Sequence, residues 1–394
     1  MRMGSTFRFM HCADLHLGSR FRGVDSRDPA LAERMRRSIF DSFEKIVDTA
    51  VREKADMLVI SGDLYDDGNE LPSTRMWLAR QLERLSIPVF ICRGNHDSAM
   101  TWDESISYPD NVHEFPSEPE SITINDDIEV VGVSYAVNHE TRNLAGMIKG
   151  RQDRFTIACV HCDLDSYSEG YSYAPCSESD LRGSGVDYWA LGHIHKREVV
   201  SDSPYIVYPG NIQGRNRKES GSKGAYLVTV SDRRVTSLDF IPTQSLIWKD
   251  VEVDIAGKSL NDAISEIRSK ANRSSIVRLI FTGSGDLDRM LRMRTEDIRK
   301  AISEDVGCII SSVVVETTPL IDLEARSESK DMTGSIIRAG ARLHTLSKEQ
   351  IVDIICQNKV AARYRDRYMA MPEEELRSII DDAMKGVIAR MEAE

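Results

Sequence analysis

The segment "FICRGNHDS", Phe90 to Ser98, runs an apolar strand straight into Gly94, Asn95, His96 and Asp97. A turn has use for the glycine and the asparagine, but not for a histidine and an aspartate beside them. The same transition recurs along the first half of the chain. Asp14 and His16 follow "FRFMHC" as D-x-H, and Asp63 follows "MLVISG". His161 ends "FTIACVH", and His193 and His195 follow "YWALG" as H-x-H. Five of the nine histidines fall in these junctions. Imidazole and carboxylate together suit first-row divalent ions. On an extended segment, residues i and i+2 point the same way, so D-x-H and H-x-H can each face one ion. An aspartate between two ions can bridge them. Two ions about 3.5–4 Å apart hold the attacking and leaving oxygens of a phosphoryl displacement. The chemistry to expect is metal-assisted hydrolysis of a phosphoester.

Elements that end in such loops must sit side by side. The runs Met57-Leu58-Val59-Ile60 and Ile87 to Ile91 are almost wholly apolar, so both faces of their sheet should be covered. Ahead of the first run, "RMRRSIFDSFEKIVDTAVREKA" carries Ile39, Phe43, Ile46, Val47 and Ala50 on one helical stripe, and between the two "STRMWLARQLERLS" reads as a second amphipathic helix. Repeated strand–loop–helix units predict an α/β fold with its site at the strand ends. The pattern changes near residue 243. Residues 244–322 read as a small α/β domain, and 323–394 as a Ser/Gly-rich linker (321–340) followed by helices, the last with Leu376, Ile379, Ile380, Met384, Val387, Ile388 and Met391 on one stripe.

The chain has 394 residues, ample for two or three domains. No apolar run approaches the roughly 18 residues of a membrane span, and the start lacks the apolar core of a secretion signal. Seven scattered cysteines suit a reducing compartment, and Cys12, Cys92, Cys159 and Cys162 read as strand packing. The expected location is the cytoplasm, beside the nucleoid, or a nucleus. A formal charge of −12 points away from nucleic acid. Two stretches run the other way: Arg20, Arg22, Arg27, Arg34, Arg36 and Arg37 oppose three acidic residues, and Arg215, Arg217, Lys218 and Lys223 oppose Glu219 alone.

In order, D-x-H, G-D-x-x, G-N-H-D, a single histidine after a strand and G-H-x-H resemble the calcineurin-like metallophosphoesterase superfamily, over about residues 7–240. The resemblance implies a four-layer α/β/β/α sandwich. It implies one metal held by Asp14, His16, Asp63 and His195 and another by Asp63, Asn95, His161 and His193, Mn²⁺ in both. It makes His96 the catalytic group that protonates the leaving oxygen, with Asp97 orienting it, and water activated between the ions the nucleophile. Within the superfamily, "MHCADLHLGSRFRG" and "YPGNIQGRNRKESGSKGAYLVTV" resemble the DNA double-strand-break repair nucleases of the SbcD, YhaO and meiotic-recombination-eleven types. That likeness implies an exonuclease or endonuclease with a capping domain. It also implies a coiled-coil ATPase partner of the structural-maintenance-of-chromosomes type on the terminal helices, and a homodimer through the helix bearing Met76, Trp77, Leu78, Leu82 and Leu85. Arg20, Arg22, Arg215, Arg217, Lys218 and Lys223 become candidates for DNA-backbone contacts. The rival readings are a phosphoesterase for small diesters or phosphoproteins and a catalytically weak DNA-end scaffold.

Overall fold

The computed structural model describes residues 6–19, 21, 29–66, 71–98, 107–164, 172–320 and 326–392. The chain divides into two compact units, Met1–Lys249 with Arg273–Val277, and Asp250–Asn272 with Arg278–Glu394.

In the first unit the strands, in chain order, are β1 (Phe7–Cys12), β2 (Met57–Ser61), β3 (Val89–Cys92), β4 (Val112–Glu114), β5 (Glu120–Thr123), β6 (Ile128–Val133), β7 (Phe155–His161), β8 (Asp163–Leu164), β9 (Pro175–Cys176), β10 (Tyr188–Gly192), β11 (Glu198–Asp202), β12 (Tyr205–Tyr208), β13 (Gly224–Ser231) and β14 (Arg234–Pro242). They build two six-stranded sheets, ordered β14-β13-β1-β2-β3-β4 and β11-β12-β10-β7-β6-β5. The centre of each sheet is parallel: β1 with β2, β2 with β3, β6 with β7 and β7 with β10. Antiparallel strands close the edges at β14 and β11. Parallel strands buried on both faces explain the unbroken apolar runs.

Alternate side chains of each strand serve different layers. Phe9, Val59 and Phe90 point between the sheets and meet Val130, Ile157 and Ala190 from the other sheet. Met10, Leu58, Ile60 and Ile91 point outward, where α1 (Pro29–Arg52) covers them with Ile39, Phe43, Ile46 and Val47, and α2 (Pro72–Glu83) with Leu78 and Leu82. On the far side Val131, Val160, Trp189 and Leu191 are covered by the short helices Leu144–Met147 and Glu178–Arg182. Helix, sheet, sheet, helix is the expected four-layer order. The apolar excess of α2 has a partner inside this unit. Trp77 lies edge-on to Phe40, with 4.7 Å between centroids, and also meets Phe43. That leaves Leu71, 64% exposed, and Met76, 46% exposed, as its outward apolar groups, a smaller free surface than the sequence suggests.

His11 on β1 is sealed between the sheets. Ser61 Oγ donates to the Ala190 carbonyl at 2.8 Å, so His11 Nε2–H donates to Ser61 Oγ at 3.3 Å and Nδ1 accepts from Tyr188 Oη at 3.0 Å. Burial lowers its pKa from 6.5 to about 3. Between those values the unfolded chain binds a proton that the folded chain does not, so this group makes stability fall as pH drops from 6.5 towards 3. His11→Gln should flatten the fall. Urea midpoints measured from pH 7 to 4 in a chelator would show it, and parallel pH profiles would refute it.

β15 (Ile247–Asp254), β16 (Ser275–Ser284) and β17 (Ile309–Thr318), most of whose residues belong to the second unit, form a three-stranded sheet in that order. Ala263 and Ile267 from Leu260–Lys270, and Ile298 and Ile302 from Thr295–Val306, are buried. Part of the expected linker is a helix, Met332–Leu343. The Asp331 side chain accepts from the Gly334 amide at 2.8 Å and caps it, and Gly340 lies so close to Met384 that a Cβ there would meet its sulfur. On the terminal helix Glu373–Glu392, Leu376 and Ile388 are buried while Ile379 and Val387 are exposed. Among the described residues, no helix is long and apolar enough to cross a membrane.

Candidate metal centre

The loops after β1, β2, β3, β7 and β10 meet at one end of the two sheets. Asp14, His16, Asp63 and His161 are buried, and Asn95, His96, His193 and His195 half-buried. Potential ligand atoms of Asp14, His16 and His195 lie within 4.8 Å of one another. The same holds for His16, Asp63 and His96, and for Asp14, Asp63 and His161. Asn95 Oδ1 joins them, 3.1 Å from His161 Nε2 and 3.2 Å from His193 Nδ1. All seven ligands expected from the sequence, and His96, thus converge.

Strain accompanies the convergence. Asp14 (φ 52°), His16 (47°), Asp63 (53°) and His193 (99°) occupy left-handed backbone that non-glycine residues rarely adopt, at roughly 1–3 kcal/mol each. The loops brace one another: the Asp14 amide donates to Gly62 O at 3.1 Å, His16 to Asp63 O at 2.9 Å and His193 to Asp14 Oδ1 at 3.1 Å. The two sheets approach so closely here that Gly192 has no room for a Cβ, which would strike the Ser61 carbonyl and the His161 ring.

The donor set fits cations. His161 Nδ1–H is committed to the Ser61 carbonyl at 2.9 Å, so Nε2 is the nitrogen turned into the site. It faces Asn95 Oδ1 at 3.1 Å and Asp63 Oδ2 at 3.4 Å, two acceptors that a proton or a metal ion on Nε2 satisfies. His16 Nε2 and His195 Nε2 face each other at 3.0 Å. Glu219 fixes the proton of His195 on Nδ1, so His195 Nε2 is an acceptor that either a proton on His16 Nε2 or a metal ion satisfies. Burial pushes His16 and His193 down to about 3, which keeps them neutral and able to ligate. For His161 burial acts in the same direction, yet Asp63 and Asp14 outweigh it and hold the imidazole up at about 9. Positive charge is what this cluster of carboxylates attracts.

Other expected roles fall differently. The family resemblance makes Asp97 the residue that orients His96. Its carboxylate instead accepts from the backbone amides of Leu64 and Gly94, each at 2.7 Å, tying the β2 loop to the β3 loop. Burial and the Asp63 carboxylate raise it to about 7. Asp97→Ala should strand two buried amides and cost on the order of 2–4 kcal/mol in unfolding free energy, read from denaturant midpoints; a loss below 1 kcal/mol would count against the tie. Besides Asp63, the carboxylate of Asp66 lies beside His96, with Oδ1 3.8 Å from His96 Nδ1 and 3.4 Å from His16 Nδ1.

Among the six candidate DNA contacts, Arg20 and Arg22 lie outside the described residues. Arg217 and Lys218 are exposed on the one-turn helix Arg217–Glu219. Arg215 is not a surface group: its guanidinium donates to Ser19 Oγ at 3.0 Å and to Asp66 Oδ1 at 3.3 Å. Lys223 is 5% exposed, and its ammonium donates to the His195 carbonyl at 2.6 Å. These two cations brace the site because the chain between β12 and β13 folds back onto the β10 loop. Sequence reasoning missed Asp66 and Glu219, though "GDLYDD" places Asp66 three residues after Asp63 on the same loop.

Against known proteins, the calcineurin-like phosphoesterase family model matches residues 7–197. A Bacillus subtilis (strain 168) protein described as the uncharacterized metallophosphoesterase YhaO is 36% identical over 294 residues, covering 70% of this chain and 72% of that protein. The DNA double-strand break repair protein Mre11 of Sulfurisphaera tokodaii is 26% identical over 302 residues, covering 70% of this chain and 73% of that protein. The protein of the same name from Saccharolobus solfataricus is 25% identical over 346 residues, covering 80% and 84%. With strand ends that gather a cation-binding donor set and a relative this similar over most of both chains, the chain belongs to the calcineurin-like phosphoesterase family of hydrolases.

Proposed function

We propose that the protein is a Mn²⁺-dependent nuclease of the DNA break-repair class. The observation that carries the hydrolytic part is the convergence of Asp14, Asp63, His16, His161 and His195, with His16 Nε2 and His195 Nε2 3.0 Å apart and His161 Nε2 3.4 Å from Asp63 Oδ2. In this reading Asp14, His16, Asp63 and His195 hold one ion, and Asp63, Asn95, His161 and His193 the other. Two such ions supply Lewis acidity to the phosphoryl oxygens and a water whose pKa falls near neutrality. The chain's own residues do the rest. Asp66 and the edge-on His16 ring, 5.1 Å away between centroids, set the face of His96. His96 Nε2 delivers a proton to the leaving oxygen. Exposed Arg217 and Lys218 offer charge for a phosphate backbone next to the site.

DNA as substrate rests on the likeness to the Mre11 relatives and on those two cations. Residues 1–243 would be the nuclease domain, 244–322 the cap and 323–394 the helical region. Its exposed Ile379 and Val387 would be a docking edge for a coiled-coil ATPase. Leu71 and Met76 are the groups a homodimer would bury. The second reading, hydrolysis of small diesters or phosphoproteins, is favoured by the net charge of −12 and the inward use of Arg215 and Lys223. With Mn²⁺, linear duplex DNA should be degraded and bis-p-nitrophenyl phosphate hydrolysed as well. Hydrolysis of the small diester with intact DNA would decide for the second reading.

A further inference from the structure

We propose that Glu219 is a positioning residue that presents His195 Nε2 to the metal centre, and that Arg215 is the cross-link holding Glu219 and Asp66 in register behind it. The inference rests on the two-ion reading above. Glu219 Oε1 lies 2.9 Å from His195 Nδ1. A carboxylate only accepts, so Nδ1 carries the proton and the Nε2 lone pair points forward, towards His16. Arg215 Nη2 also lies 3.4 Å from Nδ1. A guanidinium only donates, so it has no acceptor there and pairs instead with Glu219 Oε1 at 3.7 Å.

The carboxylate is itself held. Its Oε2 accepts from Asn211 Nδ2 at 2.8 Å and from the Arg215 amide at 2.7 Å. The turn that carries it is anchored by Gln213, whose Nε2 donates to Leu246 O at 2.8 Å, and by Trp248 Nε1, which donates to Gly214 O at 3.0 Å. Arg215 then reaches Asp66, the carboxylate next to His16 and His96. One guanidinium therefore spans two carboxylates, each set against the rear nitrogen of a ring whose other nitrogen faces the site. A turn staple would need only the backbone contact; the second oxygen is aimed at an imidazole. Hydrogen bonding behind a ligating histidine fixes its tautomer and orientation, and losing it weakens metal binding 10–100-fold.

The test is calorimetric Mn²⁺ titration of the full-length, metal-stripped protein, with the Co²⁺ d–d absorption spectrum as a second readout. Wild type should bind two ions. Glu219→Ala should weaken one site 10–100-fold and change the Co²⁺ spectrum. Glu219→Gln, which can still accept from His195 Nδ1–H, should recover part of the affinity and carries the test should Glu219→Ala not fold. Arg215→Lys, which loses the fork that spans both carboxylates, should weaken Mn²⁺ binding while leaving the salt dependence of DNA binding unchanged. Two ions bound by wild type, with unchanged affinity and spectrum in both Glu219 variants, would overturn the positioning role and leave the two-ion reading standing. An Arg215→Lys variant whose only change is a DNA salt slope reduced by about one would return Arg215 to the substrate side. No Mn²⁺ bound by wild type would instead fell the two-ion reading itself.

Discussion

Asp63→Asn should abolish Mn²⁺-induced stabilisation and bring phosphodiester hydrolysis to background. Asp63 Oδ2 lies 3.7 Å from His16 Nε2 and 3.4 Å from His161 Nε2, so one carboxylate adjoins both groups of ligands. Its other oxygen accepts from the His96 amide at 3.0 Å. Burial opposes its charge, yet His161, His16 and His96 hold the carboxyl well below the usual range, so it is ionised and available. Asparagine keeps the shape but removes the charge, and turns an N–H₂ donor towards lone pairs or cations. Losing an outer partner of a ligand already costs 10–100-fold in metal affinity, so losing a shared ligand should cost more than 100-fold. The readout is the denaturation midpoint with and without Mn²⁺. An ion at 100 times its dissociation constant adds about 2.7 kcal/mol to a protein that binds it only when folded. Wild type should gain on that order and the variant nothing. An equal Mn²⁺ shift in both proteins would remove Asp63 from the centre.

Under the proposed nuclease reading, His96→Ala should lower DNA cleavage by 10²–10⁴-fold, the range for a positioned acid, or roughly 3–5 kcal/mol of barrier. Mn²⁺ stabilisation should stay at the wild-type level. His96 is half-buried at the mouth of the site and lies beside Asp66 rather than Asp97. A proton donor matters most when the departing oxygen is strongly basic, as a sugar alkoxide is. A p-nitrophenolate leaves without help, so the defect should shrink markedly on bis-p-nitrophenyl phosphate. An equal defect on both substrates would argue that His96 acts on the attacking side or on metal retention. Asp66→Asn should produce a smaller loss in the same direction.

These expectations draw on two kinds of information. The strand ends were legible because their signals are local. D-x-H at 14–16 and H-x-H at 193–195 mark paired donors at strand ends, and runs such as "MLVIS" require cover on both faces. The common direction expected of each pair fails for H-x-H, because left-handed backbone at His193 sends it to Asn95 while His195 faces His16. The four-layer order follows from that same alternation, with Phe9 and Val59 inward and Met10 and Ile60 outward. The polar, Ser/Gly-rich composition of 321–340 reads as linker, yet the helix Met332–Leu343 begins inside it. Its cap at Asp331 is local, but the close packing of Gly340 on Met384 depends on a helix some forty residues later.

Cation roles were the least legible. Arg215 and Lys223 share a basic stretch with Arg217 and Lys218, and composition alone makes all four surface candidates. Only the fold turns the first and the last inward, because the chain after β12 doubles back along the loop bearing His195. Asp97 looked like a partner for its neighbour His96. The chain bends at residues 95–97, however, and Asp97 goes to the amides of Leu64 and Gly94, while Asp66 from another loop lies beside His96.

By itself, then, the sequence determined the class of chemistry and the ligand types, since donor identity, spacing within a loop and strand burial are written in short segments. Tertiary structure alone decided which carboxylate stands behind which imidazole, and which arginine serves the site rather than the surface. Those pairings join residues far apart in the chain, and hydrogen bonds a few ångströms long form only where the loops have already met.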